Sequence, residues 1–108
     1  MRSPASQLNV HKFGGAALAD AAAIRNATSI VASDASPQKV VVASAMLGVT
    51  DELFEIARRA AEGEQRPPAL DTLRERHLGV ARALGADGPD GAALQAAINE
   101  RGCNTLAP

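Results

Sequence analysis

Two hydrophobic periods share this chain. Gln7 to Phe13 is a short strand-like run that ends in Gly14-Gly15, and Lys39 to Ser44 is a continuous β-branched run that leads into Ala45-Met46-Leu47-Gly48. The second run is apolar on both faces, which predicts a buried parallel strand. Between them, Leu18 to Ser33 carries Leu18, Ala21, Ala22, Ile24, Ile30 and Val31 at helical spacing, with Asp20 near the positive helix end. Asp34-Ala35-Ser36-Pro37-Gln38 breaks that helix, because the residue before a proline is disfavoured in helical conformation.

Beyond the second strand the pattern is helical. Thr50 stands where it would cap a helix, Asp51 and Glu52 fill its first turn, and Leu53, Ile56, Ala57 and Ala60 form an apolar face that ends near Gly63. After Arg66-Pro67-Pro68, the positions Leu70, Leu73, His77, Val80, Ala81 and Leu84 predict another helix, stopping at Gly85. A last helix spans about Ala92 to Arg101, with Gly102 as its stop. Residues 1–6 read as a leader, 7–102 as the folded portion and 103–108 as a tail.

The order is strand, helix, strand and three helices, which gives one right-handed βαβ unit and no third strand. Parallel sheets normally have several strands and covered faces, so the chain is expected to be the opening of a larger, here truncated, α/β domain. If both strands lie parallel in one sheet, their glycine-bearing loops open at the same edge, where doubly wound sheets place ligands.

Composition narrows the picture. Hydrophobic residues make up 46% of the chain, but alanine supplies much of that and only Phe13 and Phe54 are aromatic, so the core is expected to be thin and the stability marginal. Eleven basic and twelve acidic side chains give a net charge of -1, without the basic stripe that nucleic-acid binding needs. The lone Cys103 excludes a disulfide framework and a zinc cluster, so no metal site is expected. No apolar run is long enough to span a membrane, and a soluble cytoplasmic protein is expected.

Nine of the eleven basic residues are arginine, which sets Lys12 apart. Its ammonium suits a phosphate oxygen as a point charge, and a solvated lysine at a strand end is the plain alternative. Gly14 and Gly15 either let backbone amides approach an anion, helped by the following helix end, or form an ordinary tight turn. Ser44 ends the second strand. Thr50 either caps a helix or offers its hydroxyl to a carboxylate. The lysine precedes the glycines and no G-x-G-x-x-G follows, so neither the Walker loop nor the dinucleotide fingerprint is present. His11 and His77 have no acidic partner nearby in sequence and read as structural.

Lys12-Phe13-Gly14-Gly15, followed by Val41-Val42-Ala43-Ser44-Ala45-Met46-Leu47-Gly48-Val49-Thr50-Asp51, resembles the start of the aspartate kinases, in the amino acid kinase family. The likeness runs through Ser29 to Asp34 and, more weakly, Arg58 to Leu78. It implies the start of a three-layer αβα sandwich with a mainly parallel sheet, of the carbamate kinase-like type. It also implies transfer of the ATP γ-phosphoryl group to the β-carboxylate of L-aspartate, with Mg2+ accompanying ATP, as the first step towards lysine, threonine and methionine. By that resemblance Lys12 neutralises the transferred phosphoryl group, Gly14 and Gly15 offer amides to phosphate oxygens, and Ser44 and Thr50 hold aspartate.

Two departures stand out. Ala16 and Ala17 replace the small hydroxyl residues usual after the two glycines, and Leu47 replaces a glycine common in the second loop. The family's later acidic residue, arginine and second glycine-rich stretch have no counterpart before Pro108, nor do its regulatory domains. The resemblance therefore leads to half a site, completed in a longer chain, by a complementing kinase-domain segment or by self-association. The alternative is a non-catalytic interaction module that keeps the βαβ unit and pairs through its exposed sheet edge.

Overall fold

The computed structural model describes residues 7–85 and 89–104, and the expected leader at 1–6 and the end of the expected tail at 105–108 lie outside them. The chain divides into two compact units, residues 1–48 and 49–108, where the sequence reads as one folded portion.

In the first unit, β1 (Leu8–Phe13) and β2 (Gln38–Ala43) form a two-stranded parallel sheet. The register runs from Leu8 opposite Gln38 to Phe13 opposite Ala43. Helix α1 (Ala21–Ser33) connects them. It starts three residues later than the spacing predicts, because Gly15–Leu18 wind into a 3-10 turn and Asp20 caps α1. The Asp20 side chain accepts a hydrogen bond from the Ala23 amide at 2.8 Å, satisfying one of the orphan donors of the first turn.

Successive strand side chains point to opposite faces. Phe13, Lys39, Val41 and Ala43 line an open apolar groove of about 370 Å³ together with Leu18, Ile24, Ala27 and Val31. The other face carries Leu8, Val10, Val40 and Val42, all exposed. The expectation that β2 is a buried strand is therefore corrected, since every residue of it is exposed. Among the described residues two strands and one helix present too little surface to cover either face, and Ala27 is the one buried hydrophobic residue of this unit.

The second unit is helical, with α2 (Val49–Ala61), α3 (Pro68–Ala83) and α4 (Pro89–Asn104). α3 packs against both α2 and α4. Its core is Val49 and Ile56 from α2 with Leu70, Leu73, Leu78 and Ala81 from α3, positions that recur at helical spacing. Pro67 is fully buried at the entry to α3. The helix α4 continues through Gly102 to Asn104, past the stop expected there. No helix among the described residues is long and apolar enough to cross a membrane.

Candidate functional site

The parallel register places the ends of β1 and β2 side by side, and the ladder continues one step further through the Ser44 amide, which donates to the Phe13 carbonyl at 3.0 Å. The two glycine-bearing loops therefore leave the sheet at one edge. They also touch. A Cβ built on Gly15 would lie 3.4 Å from Leu47 Cα and 3.6 Å from the Ala45 carbonyl oxygen, so the second loop lies directly over the first.

Gly14 differs from its neighbour. Its φ of -79° and ψ of 179° are open to any residue, and an added Cβ would meet nothing within 4 Å. Neither backbone conformation nor packing accounts for a glycine there. An open, side-chain-free backbone is the surface against which an anion can come close. The Gly14 carbonyl is engaged below, accepting from the Ala17 amide at 3.1 Å.

Lys12 pairs across the ladder with Val42 and is exposed. Its alternation with His11 and Phe13 puts it on the sheet face opposite the groove. Lys12, Gly14, Gly15 and Ser44 thus belong to one unit and one sheet edge. Between the two glycines and α1 lie the 3-10 turn and Asp20, whose carboxylate caps the helix through the Ala23 amide.

Thr50 lies in the second unit. The helix α2 begins at Val49, so Thr50 is its second residue and not its cap, and the capping expectation is corrected. Gly48 immediately before the helix has a φ of +80°, a left-handed conformation that replaces a side-chain cap with a sharp turn. With Leu53, Phe54 and Ala57, Thr50 borders a shallow apolar hollow on α2.

The groups that spacing along the chain could not show surround Asp34. Its carboxylate accepts from His11 Nε2 at 2.7 Å, from Asn9 Nδ2 at 3.1 Å and from the Ser36 amide at 2.8 Å. The Ser36 amide first, and the His11 ring next, hold the Asp34 carboxyl down to about 2. His11 is thus partnered by an acid 23 residues away. His77, by contrast, is occupied locally, its Nδ1 donating to the Leu73 carbonyl at 2.8 Å.

No family model matches the chain, and no solved structure does. Curated proteins do. The chain is 39% identical over 83 residues to the bifunctional aspartokinase/homoserine dehydrogenase 2, chloroplastic, of Arabidopsis thaliana, covering 76% of this chain and 9% of that protein. It is 39% identical over 70 residues to the bifunctional aspartokinase/homoserine dehydrogenase, chloroplastic, of Daucus carota, covering 64% and 8%. The lysine-sensitive aspartokinase 3 of Escherichia coli (strain K12) is 37% identical over 79 residues, covering 73% and 17%. The chain therefore spans less than a fifth of the length of each of these relatives. Across most of its own length it is a homologue of the aspartokinases, matching an N-terminal fragment of them.

Proposed function

We propose that this chain carries the phosphate-handling edge of an aspartate kinase, which transfers the ATP γ-phosphoryl group to the β-carboxylate of L-aspartate and forms an acyl phosphate. The observation that carries this reading is the shared edge: two glycine-bearing loops from adjacent parallel strands, packed on each other at Gly15 and Leu47, in a homologue of aspartokinases. In this reading the sheet is the start of a three-layer αβα sandwich, and the enzyme acts in amino-acid biosynthesis in the cytoplasm.

Lys12 faces the transferred phosphoryl group and offsets its charge. The amides of Gly14 and Gly15 serve the phosphate oxygens. Ser44 and Thr50 hold the aspartate. None of these residues forms a covalent intermediate, so their contribution is orientation and electrostatic stabilisation. Magnesium accompanies the nucleotide, where it neutralises phosphate charge. The adenine-binding half and the remaining substrate groups lie outside these residues, in a longer chain, a complementing kinase-domain segment or a second copy.

Acyl phosphate trapped with hydroxylamine tests the reading, using this chain alone and joined to the remainder of an aspartokinase kinase domain. ATP- and aspartate-dependent product that vanishes in K12A is expected from the joined protein. Full activity of K12A there would remove Lys12 from the phosphoryl site.

A second reading has its own support in the bare sheet, where Leu8, Val10, Val40, Val41 and Val42 are all exposed. A non-catalytic module pairing with another chain through this sheet fits that surface. Sedimentation of the chain separates the two: concentration-dependent association without turnover in the joined protein favours the module.

A further inference from the structure

We propose that the hydrogen-bonded pair of His11 and Asp34 positions Lys12 at the candidate phosphate edge, an inference that rests on the phosphate reading of that edge. Asp34 leaves α1 in an extended conformation, and its carboxylate gathers donors from two directions. Asn9 and His11 are alternate residues of β1 and reach it from one sheet face, while the Ser36 amide reaches it from the turn into β2. One carboxylate therefore ties β1 to the start of β2. The pair is sheltered, with the His11 and Asp34 side chains 17% and 11% exposed. Bonds to an ionised acceptor in such a setting are stronger than neutral ones. The other nearby cation, Lys39, is directed elsewhere, its Nζ donating to the Val31 carbonyl at 3.1 Å.

Lys12 stands between two anchored neighbours. His11 before it is held by Asp34. Phe13 after it accepts the Ser44 amide through its carbonyl and lies nearly parallel to the His11 ring, with centroids 6.3 Å apart and 5° between planes. Both neighbours are anchored on the α1 side, whereas the Lys12 side chain projects from the opposite face. The lysine backbone is thus held on both sides while the ammonium is left to meet a ligand, which lowers the ordering cost of binding an anion. His11 acts through Lys12 and is a positioning residue.

The test uses the full chain with H11F, which keeps a ring beside Phe13 but loses the donor, and H11Q, which restores an N–H. Labelling of Lys12 by an amine reagent is followed by mass spectrometry with and without inorganic tripolyphosphate, alongside the 15N order parameter of the Lys12 amide. Protection of Lys12 in the parent protein is expected to fall roughly five- to tenfold in H11F, the scale of the net contribution of one hydrogen bond, and to return in H11Q. The Lys12 order parameter should fall and recover in step, with helical circular dichroism unchanged. Equal order in H11F and the parent overturns the inference. An unprotected Lys12 in the parent sinks the phosphate reading, and the order parameter still decides whether the pair fixes the lysine. Should H11F fail to fold, D34N keeps an acceptor for the Ser36 amide and takes its place; undiminished Lys12 order there overturns the inference equally.

Discussion

The Cβ that Gly15 lacks would sit 3.4 Å from Leu47 Cα, at the limit of ordinary contact. Alanine at position 15 therefore fits with little strain, while any branch beyond Cβ runs into the backbone of the second loop. We expect G15V to cost roughly 1–3 kcal/mol, as overpacking does. G14A should instead leave stability unchanged or raise it by about 0.4–1 kcal/mol, because the native backbone suits alanine and the unfolded chain loses freedom. If the Gly14 backbone meets phosphate, G14A also weakens tripolyphosphate protection of Lys12. Urea melts and Lys12 labelling on the two variants check both halves.

Asp34 makes the sheet unit sensitive to acid. Its carboxyl is held below the ordinary carboxylate range, to about 2, by the Ser36 amide and the His11 ring. A depressed folded-state value means stabilisation that is fully present above the unfolded value, near 4, and lost as pH falls through about 2. Glu55, held to about 2 by Arg58, loses its contribution over the same window in both proteins, so the difference between parent and D34N isolates Asp34. Urea midpoints between pH 6 and pH 2 should converge as the pH falls; a constant gap would show that the carboxylate charge is not what the site uses.

The helical unit should respond unequally to two apolar truncations on one helix. Ile56 is 2% exposed and Phe54 is 72% exposed. I56A is expected to cost roughly 2–5 kcal/mol through the lost contact and the cavity left behind, whereas F54A should stay within about 0.5 kcal/mol. A large loss on F54A would mean that the exposed face of α2 is covered in solution.

The proposed aspartate-holding role of Ser44 and Thr50 predicts unequal effects on the two substrates. In the joined kinase, S44A and T50A should raise the KM for aspartate several-fold more than that for ATP. Because Thr50 is the second residue of α2 and not its cap, T50A should do this without the stability loss of about 1 kcal/mol that a removed cap brings. Equal effects on both substrates would return these residues to a purely local role.

The periodicity of the chain finds, within a few residues, both strands and all four α-helices of the described residues. The edge was legible too, because parallel strands necessarily bring their ends together. What escaped the pattern lies in contacts between distant positions. His11 reads as partnerless because Asp34 is reached only once α1 has carried the chain back beside β1. The start of α1 moved because Asp20 competes for the helix amides, and a 3-10 turn absorbed Gly15–Leu18. β-branched Val40, Val41 and Val42 promise burial, but burial depends on neighbouring layers that no strand sequence specifies.

The parallel pairing also governs the order in which the molecule takes shape. Helices α3 and α4 meet across a short connection, a local contact that closes quickly. β1 can find β2 only after the intervening helix and turn have been traversed, so loop entropy is spent before any ladder bond forms. Lys12, the two glycines and Ser44 are scattered until that closure occurs. The proposed phosphate edge is thus a late-forming feature of its unit, and a ligand binding there would act by slowing the strands' separation, not by hastening their encounter.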